Sequence, residues 1–163
     1  MRRLKTLFFY AFIFLAISCN NETDEAPLIE KTARIEIAFE GSVEQYLVNF
    51  GVHSLYQGQS GFVSATIIQP VNLEWTQVID EANTFNLSTS TNFTELVIES
   101  EEPVHTLGFN FNVVHTGDIP AEDFENLRAT IKVFGDNAEV QNFQYTARPV
   151  GEVSEALSEV VRF

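Results

Sequence analysis

Only one cysteine, one tryptophan and one methionine occur in the 163 residues. A lone cysteine, Cys19, excludes an internal disulfide and any thiolate cluster around a structural metal. Basic residues are scarce too. Nine Lys and Arg stand against 23 Asp and Glu, for a net charge of −14. Three of the nine (Arg2, Arg3 and Lys5) lie in the first five positions, so the remainder is more acidic still. Such a surface repels phosphate backbones, which excludes nucleic acid as a partner. It also opposes adsorption to anionic lipid. Acidity of this kind keeps a protein soluble, and it also offers oxygen ligands to cations such as Ca²⁺.

Catalytic signatures are missing as well. No GxSxG elbow, HExxH pair, phosphate-binding loop or dinucleotide fingerprint occurs. The adjacent acids Glu101-Glu102 and Glu122-Asp123 would point to opposite faces of a strand, as solvated charges do. Of the three histidines, His105 and His115 are ten residues apart in one expected strand. At about 3.3 Å per residue they lie roughly 33 Å apart and cannot share a metal or a proton. His53 is free to approach either. Histidines at strand ends, on the rim of a core, are the simpler expectation. No catalytic residue is assigned, and the chain reads as a non-enzyme.

Long apolar runs are limited to one, Leu7 to Ile17, of eleven residues. That is short of the roughly 20 a membrane-spanning helix needs, and it suits the core of an export signal behind a basic start. The run ends in Ala16-Ile17-Ser18-Cys19. These residues resemble a lipobox, the cleavage site of bacterial lipoprotein signal peptides. The resemblance implies diacylglycerol and further acyl chains (palmitate-type) on Cys19, with cleavage after Ser18. Two or more acyl chains anchor a protein stably without a transmembrane helix. Glu22, Asp24 and Glu25 follow, and they resemble the export signals of Bacteroidota surface lipoproteins. That implies an outer-membrane location, periplasmic or outward-facing. The expected division is a signal peptide over 1–18, a lipidated cysteine and acidic tether over 19–31, and a β domain over 32–163.

From Thr32 onward apolar residues mostly alternate with polar ones. Ile35, Ile37 and Phe39 form one face, as do Val48, Phe50 and Val52, and Leu107, Phe109, Phe111 and Val113. Alternation of this kind marks half-buried strands. Leu127 to Val133 and Phe143 to Tyr145 read as a hairpin closed at Gly135-Asp136-Asn137, residues that tolerate positive φ. About seven to nine short antiparallel strands predict a β-sandwich, with a lipocalin-like barrel as the alternative. Trp75, Val78 and Ile79 admit a strand or a helical turn. Asp118-Ile119-Pro120 suits a one-turn helix start. Val153, Leu157, Val160 and Val161 admit a closing helix or a last strand.

Two groups of residues offer binding chemistry. Asp118, Glu122 and Asp123 share one loop, and Asp136, Asn137 and Glu139 another, as candidate calcium ligands. Trp75, with Tyr46 and Tyr56, is the candidate aromatic platform for a glycan. The triplets at Asn21, Asn86 and Asn92 mark polar loops. The sequence therefore predicts a lipid-anchored envelope protein acting as a noncatalytic protein-interaction or structural module. A surface carbohydrate-binding module and a small hydrolase are the alternatives.

Overall fold

A computed structural model describes residues 27–59, 61–80, 83–90, 93–116, 124–149, 152 and 154–163. Their strands are β1 (Ala33–Glu40), β2 (Tyr46–Gln57), β3 (Gly61–Phe62), β4 (Ala65–Gln69), β5 (Gln77–Ile79), β6 (Thr84–Ser90), β7 (Glu95–Ser100), β8 (Thr106–His115), β9 (Arg128–Gly135), β10 (Ala138–Thr146) and β11 (Leu157–Arg162). One sheet runs β10-β9-β1-β7-β4 and the other β11-β8-β2-β6-β5, with β3 paired to the end of β2. All these pairings are antiparallel. The sheets stay separate, with β10 and β4 at the edges of one and β11 and β5 at the edges of the other. The chain is thus a β-sandwich, and the barrel alternative is set aside.

Period-two alternation builds the core from both inner faces. In β1, Ile35, Ile37 and Phe39 are buried, and their neighbours Ile131, Val133 and Ala129 of β9 are buried opposite them. In β8, Leu107, Phe109, Phe111 and Val113 are buried. Phe111 ties the layers together. Its ring lies 6.1 Å from Phe39 of the facing sheet and edge-on to Tyr145 at 4.7 Å. The β9–β10 hairpin turns on Asp136 (φ +52°) and Asn137 (φ +67°), the pair of positive φ values that lets a two-residue turn match strand twist.

The ambiguous segments resolve as strands. Gln77–Ile79 pairs with β6, and Leu157–Arg162 pairs with β8 in unbroken register. Asn86 lies inside β6 and not in a loop. Register slips occur in β4 between Ile67 and Gln69, in β10 between Glu139 and Gln141, and in the central strand β2 between His53 and Tyr56. The slip in β2 shapes the site below. Residues 1–26, 117–123 and Asn92 lie outside the described residues, and with them Cys19, the signal and most of the tether, the expected helix start at Asp118, and the candidate ligands Asp118, Glu122 and Asp123.

Candidate functional site

The two outer faces of the sandwich differ in charge. Outward positions of the first sheet include Arg34, Glu36, Glu40, Glu95, Glu99, Arg128 and Lys132. On the second sheet the register sets out different rows. One reads Gln77, Asn86, Gly51, Asn110 and Ser158 across five strands. Beside it stand Ser88, Asn49 and Asn112, and on the other side Ile79, Thr84, His53, Gly108 and Val160. No Asp or Glu occupies these outward positions, although the chain holds 23. Amides, hydroxyls and glycines make up most of these positions, with Ile79, His53 and Val160 among them. Ser88 Oγ donates to Asn49 Oδ1 at 2.8 Å.

Glycine keeps the centre of this face low. A Cβ on Gly51 would come within 2.7 Å of the Asn110 amide, and one on Gly108 would overlap the His53 ring. Both side chains therefore lie flat across the backbone of a neighbouring strand. Burial there lowers the His53 pKa below its usual value, favouring the neutral ring. His53 Nδ1 lies 2.9 Å from Ser54 Oγ. Among the described residues no carboxylate contacts His53, so this pair lacks the third group that would orient a catalytic base.

At one end of the face the slip in β2 creates a cleft. Up to Val52, even-numbered residues of β2 face the core. Ser54 then takes φ +56°, the bulge inserts one residue opposite β8, and Leu55 enters the core in place of its neighbours. Tyr56 is thereby turned outward. Bulges next to sites re-aim side chains in this way. Asn83, itself buried and at φ +44°, donates from Nδ2 to the Leu55 carbonyl at 2.8 Å and braces the bulge.

Tyr56 stacks on His105 with ring centroids 6.3 Å apart, and Phe62 of β3 leans on it at 5.5 Å. His105 Nε2 donates to the Gly58 carbonyl at 2.7 Å, so its Nδ1 is left to accept from Thr106 Oγ1, also at 2.7 Å. Two adjoining hollows of about 430 and 490 Å³ open here. Leu28, Tyr56 and His105 line both, and Ser54, Val160 and Arg162 line the first.

The aromatic residues marked in the sequence do not meet. Tyr46 is 1% exposed and stands at the opposite end of β2, where it packs on His115 and Phe124. Burial pushes its pKa up, with the nearby Leu127 backbone offsetting part of the shift. Tyr46 is a core residue and is withdrawn as a ligand contact. Trp75 is half-buried against the core, with its ring 5.7 Å from Phe85 and its Nε1 donating to the Ala65 carbonyl at 2.7 Å. Its polar edge is spent inside the fold, so it does not form a platform with Tyr56. Of the three, Tyr56 lines the cleft described above.

The turn proposed for calcium is also engaged. Asp136 Oδ1 accepts from Thr32 N–H at 3.0 Å, Asn137 Oδ1 accepts from Arg34 at 2.9 Å, and Glu139 faces Lys132 at 3.5 Å. Those oxygens are committed to protein donors and do not converge on a cation. Among the described residues no group of three or more His, Cys, Asp or Glu converges as a metal site.

The architecture defines an antiparallel β-sandwich domain with one outer face rich in charge and the other rich in amides, free of carboxylates at the positions named above. Its fold is similar to solved domains from Bacteroidetes. A domain of unknown function of the DUF4425 kind from Bacteroides vulgatus aligns at 10% identity and TM-score 0.56, over 82% of this chain and 97% of that one. A DUF4425 protein from Bacteroides ovatus gives 11% and 0.52, over 82% and 94%. The calcium-bound form of a protein from Parabacteroides distasonis gives 12% and 0.60, over 87% and 100%. At these identities the likeness is one of fold. No protein-family profile matches the chain, and no curated protein matches it in sequence.

Proposed function

We propose that the chain is an outer-membrane lipoprotein, anchored through acylated Cys19, whose sandwich binds glycan on the outer face of the second sheet. One observation carries the choice of ligand: the amide face of Asn49, Asn86, Asn110 and Asn112 is free of carboxylates in a chain of net charge −14. An amide offers a donor and an acceptor together, which suits the hydroxyls of sugars. The sequence alone favours a protein partner. The amide-rich row free of carboxylates supports a glycan instead, since protein interfaces have more apolar cores. The fold shared with the Parabacteroides protein also raises calcium. The Asp136 turn does not fit it, so no step of this reading depends on a metal.

Two measurements test the two halves. Replacing Cys19 with Ala should move the protein from the membrane fraction to the soluble one. Retention of the variant through the same detergent steps would refute the anchor. On affinity gels of neutral polysaccharide, Asn110→Asp should be retarded far less than the native chain, that is, bind about tenfold more weakly. Glu36→Gln, on the opposite sheet, should leave retardation unchanged. Equal effects of the two substitutions would remove the face from consideration.

A further inference from the structure

We propose that the cleft at Tyr56 binds a uronic acid residue of a polysaccharide, with Arg162 holding its carboxylate. This rests on the glycan reading and names a ligand class for one end of the same surface. The first observation concerns cations. Six Lys and Arg lie among the described residues. Four of them, Arg34, Arg128, Lys132 and Arg148, are ion-paired with glutamates. Lys31 lays its stem near Gly135 beside Phe163. Arg162 lines the cleft and makes neither an ion pair nor a hydrogen bond with any described residue. In a chain this acidic, a guanidinium left without a carboxylate is available to one supplied by a ligand. Its planar fork suits a carboxylate geometrically.

The second observation is the arrangement around it. Tyr56, Thr106 and Arg162 stand in one row across β2, β8 and β11. At ordinary strand spacing that row spans about 10 Å, the reach over which one sugar ring touches an aromatic on one side and a guanidinium on the other. Tyr56 and Phe62 supply the aromatic shelf, and Leu28 and Val160 give apolar walls. The hollows, at about 430 and 490 Å³, accept one or two sugar units. A uronate combines a flat ring with C–H faces and a single carboxylate. The single guanidinium in the cleft, Arg162, matches that single charge. The net charge of −14 opposes anions at long range. With a Debye length of about 8–10 Å at ordinary salt, however, contact with Arg162 outweighs distant repulsion.

The test is titration calorimetry on the detergent-solubilised full-length protein with trigalacturonate and with its methyl ester, which removes the charge and adds one methyl group per carboxyl. The free acid should bind about tenfold more tightly than the ester, and Arg162→Gln should abolish that preference, leaving acid and ester with similar affinities. Arg162→Lys should keep part of it, because the charge stays and the fork is lost. Tyr56→Leu should weaken acid and ester alike. Equal affinity for acid and ester, or a preference that survives Arg162→Gln, would overturn the proposal. A neutral glycan bound in an Asn110-sensitive manner without acid preference would sink the uronate site and keep the face. Acid bound through Arg162 but insensitive to Asn110→Asp would do the reverse. Binding of neither sugar would end both. Unchanged melting of the Arg162 variants, whose side chain is exposed, confirms that folding is not what changed.

Discussion

Phe111→Ala is expected to destabilise the domain by about 3–5 kcal/mol, the range for deleting a large aromatic from a tight core. The ring is 0% exposed, and from the second sheet it reaches across to Phe39 and Tyr145 of the first. Its removal loses transfer free energy and leaves a void between sheets that cannot close without moving a whole strand. For a domain of this size the melting temperature should fall on the order of 10–20 °C. Phe111→Leu, which keeps most of the volume, should cost far less. Denaturant midpoints for the three proteins check this. An alanine variant melting within about 3 °C of the native protein would mean the sheets are not joined through this ring.

Asn83→Ala should cost about 2–3 kcal/mol, and the loss has two separable parts. One is the buried hydrogen bond from Nδ2 to the Leu55 carbonyl. That carbonyl keeps a second donor, Val63 N–H at 3.1 Å, so it is not orphaned. The other part is a left-handed backbone, φ +44°, which asparagine accepts more readily than alanine. Asn83→Gly relieves the backbone term and should be milder by about 1 kcal/mol. Both variants loosen the bulge that turns Tyr56 outward. Acid and ester sugars should therefore both bind more weakly even where the protein is still folded. A variant with native melting and native sugar binding would show that Asn83 does not brace the bulge.

The strands with unbroken alternation were legible from sequence, because period two leaves one answer for which residues face inward. Ile35, Ile37 and Phe39, and Leu107 to Val113, are where that rule places them. The end of the chain was not legible, for a physical reason. Leu157 and Val161 are four apart, a separation that puts two residues on one face of a helix or of a strand alike. Only pairing with β8 decides between them. The bulge at Ser54 left still less trace. Neither Ser nor Leu announces a positive φ, so continuing the pattern of Val48, Phe50 and Val52 sends Tyr56 into the core. Tyr46 and Tyr56 look equivalent in sequence, yet one is interior and the other borders the cleft. Arg162 likewise stands out only once Arg34, Arg128, Lys132 and Arg148 are seen paired with glutamates. Trp75 drew attention by rarity, and its indole N–H turned out to serve the backbone of β4.

The edges of the sandwich carry one last consequence. An exposed strand edge invites another strand to add on, and the result is fibrils or runaway oligomers. Here β4 and β10 are each broken by a slip in register, β5 is three residues long, and β11 carries Glu159 and Arg162. None of the four offers a long regular row of free amides. Molecules crowded side by side at high concentration should therefore remain separate units, meeting partners through side chains on their faces and never by extending one another's sheets.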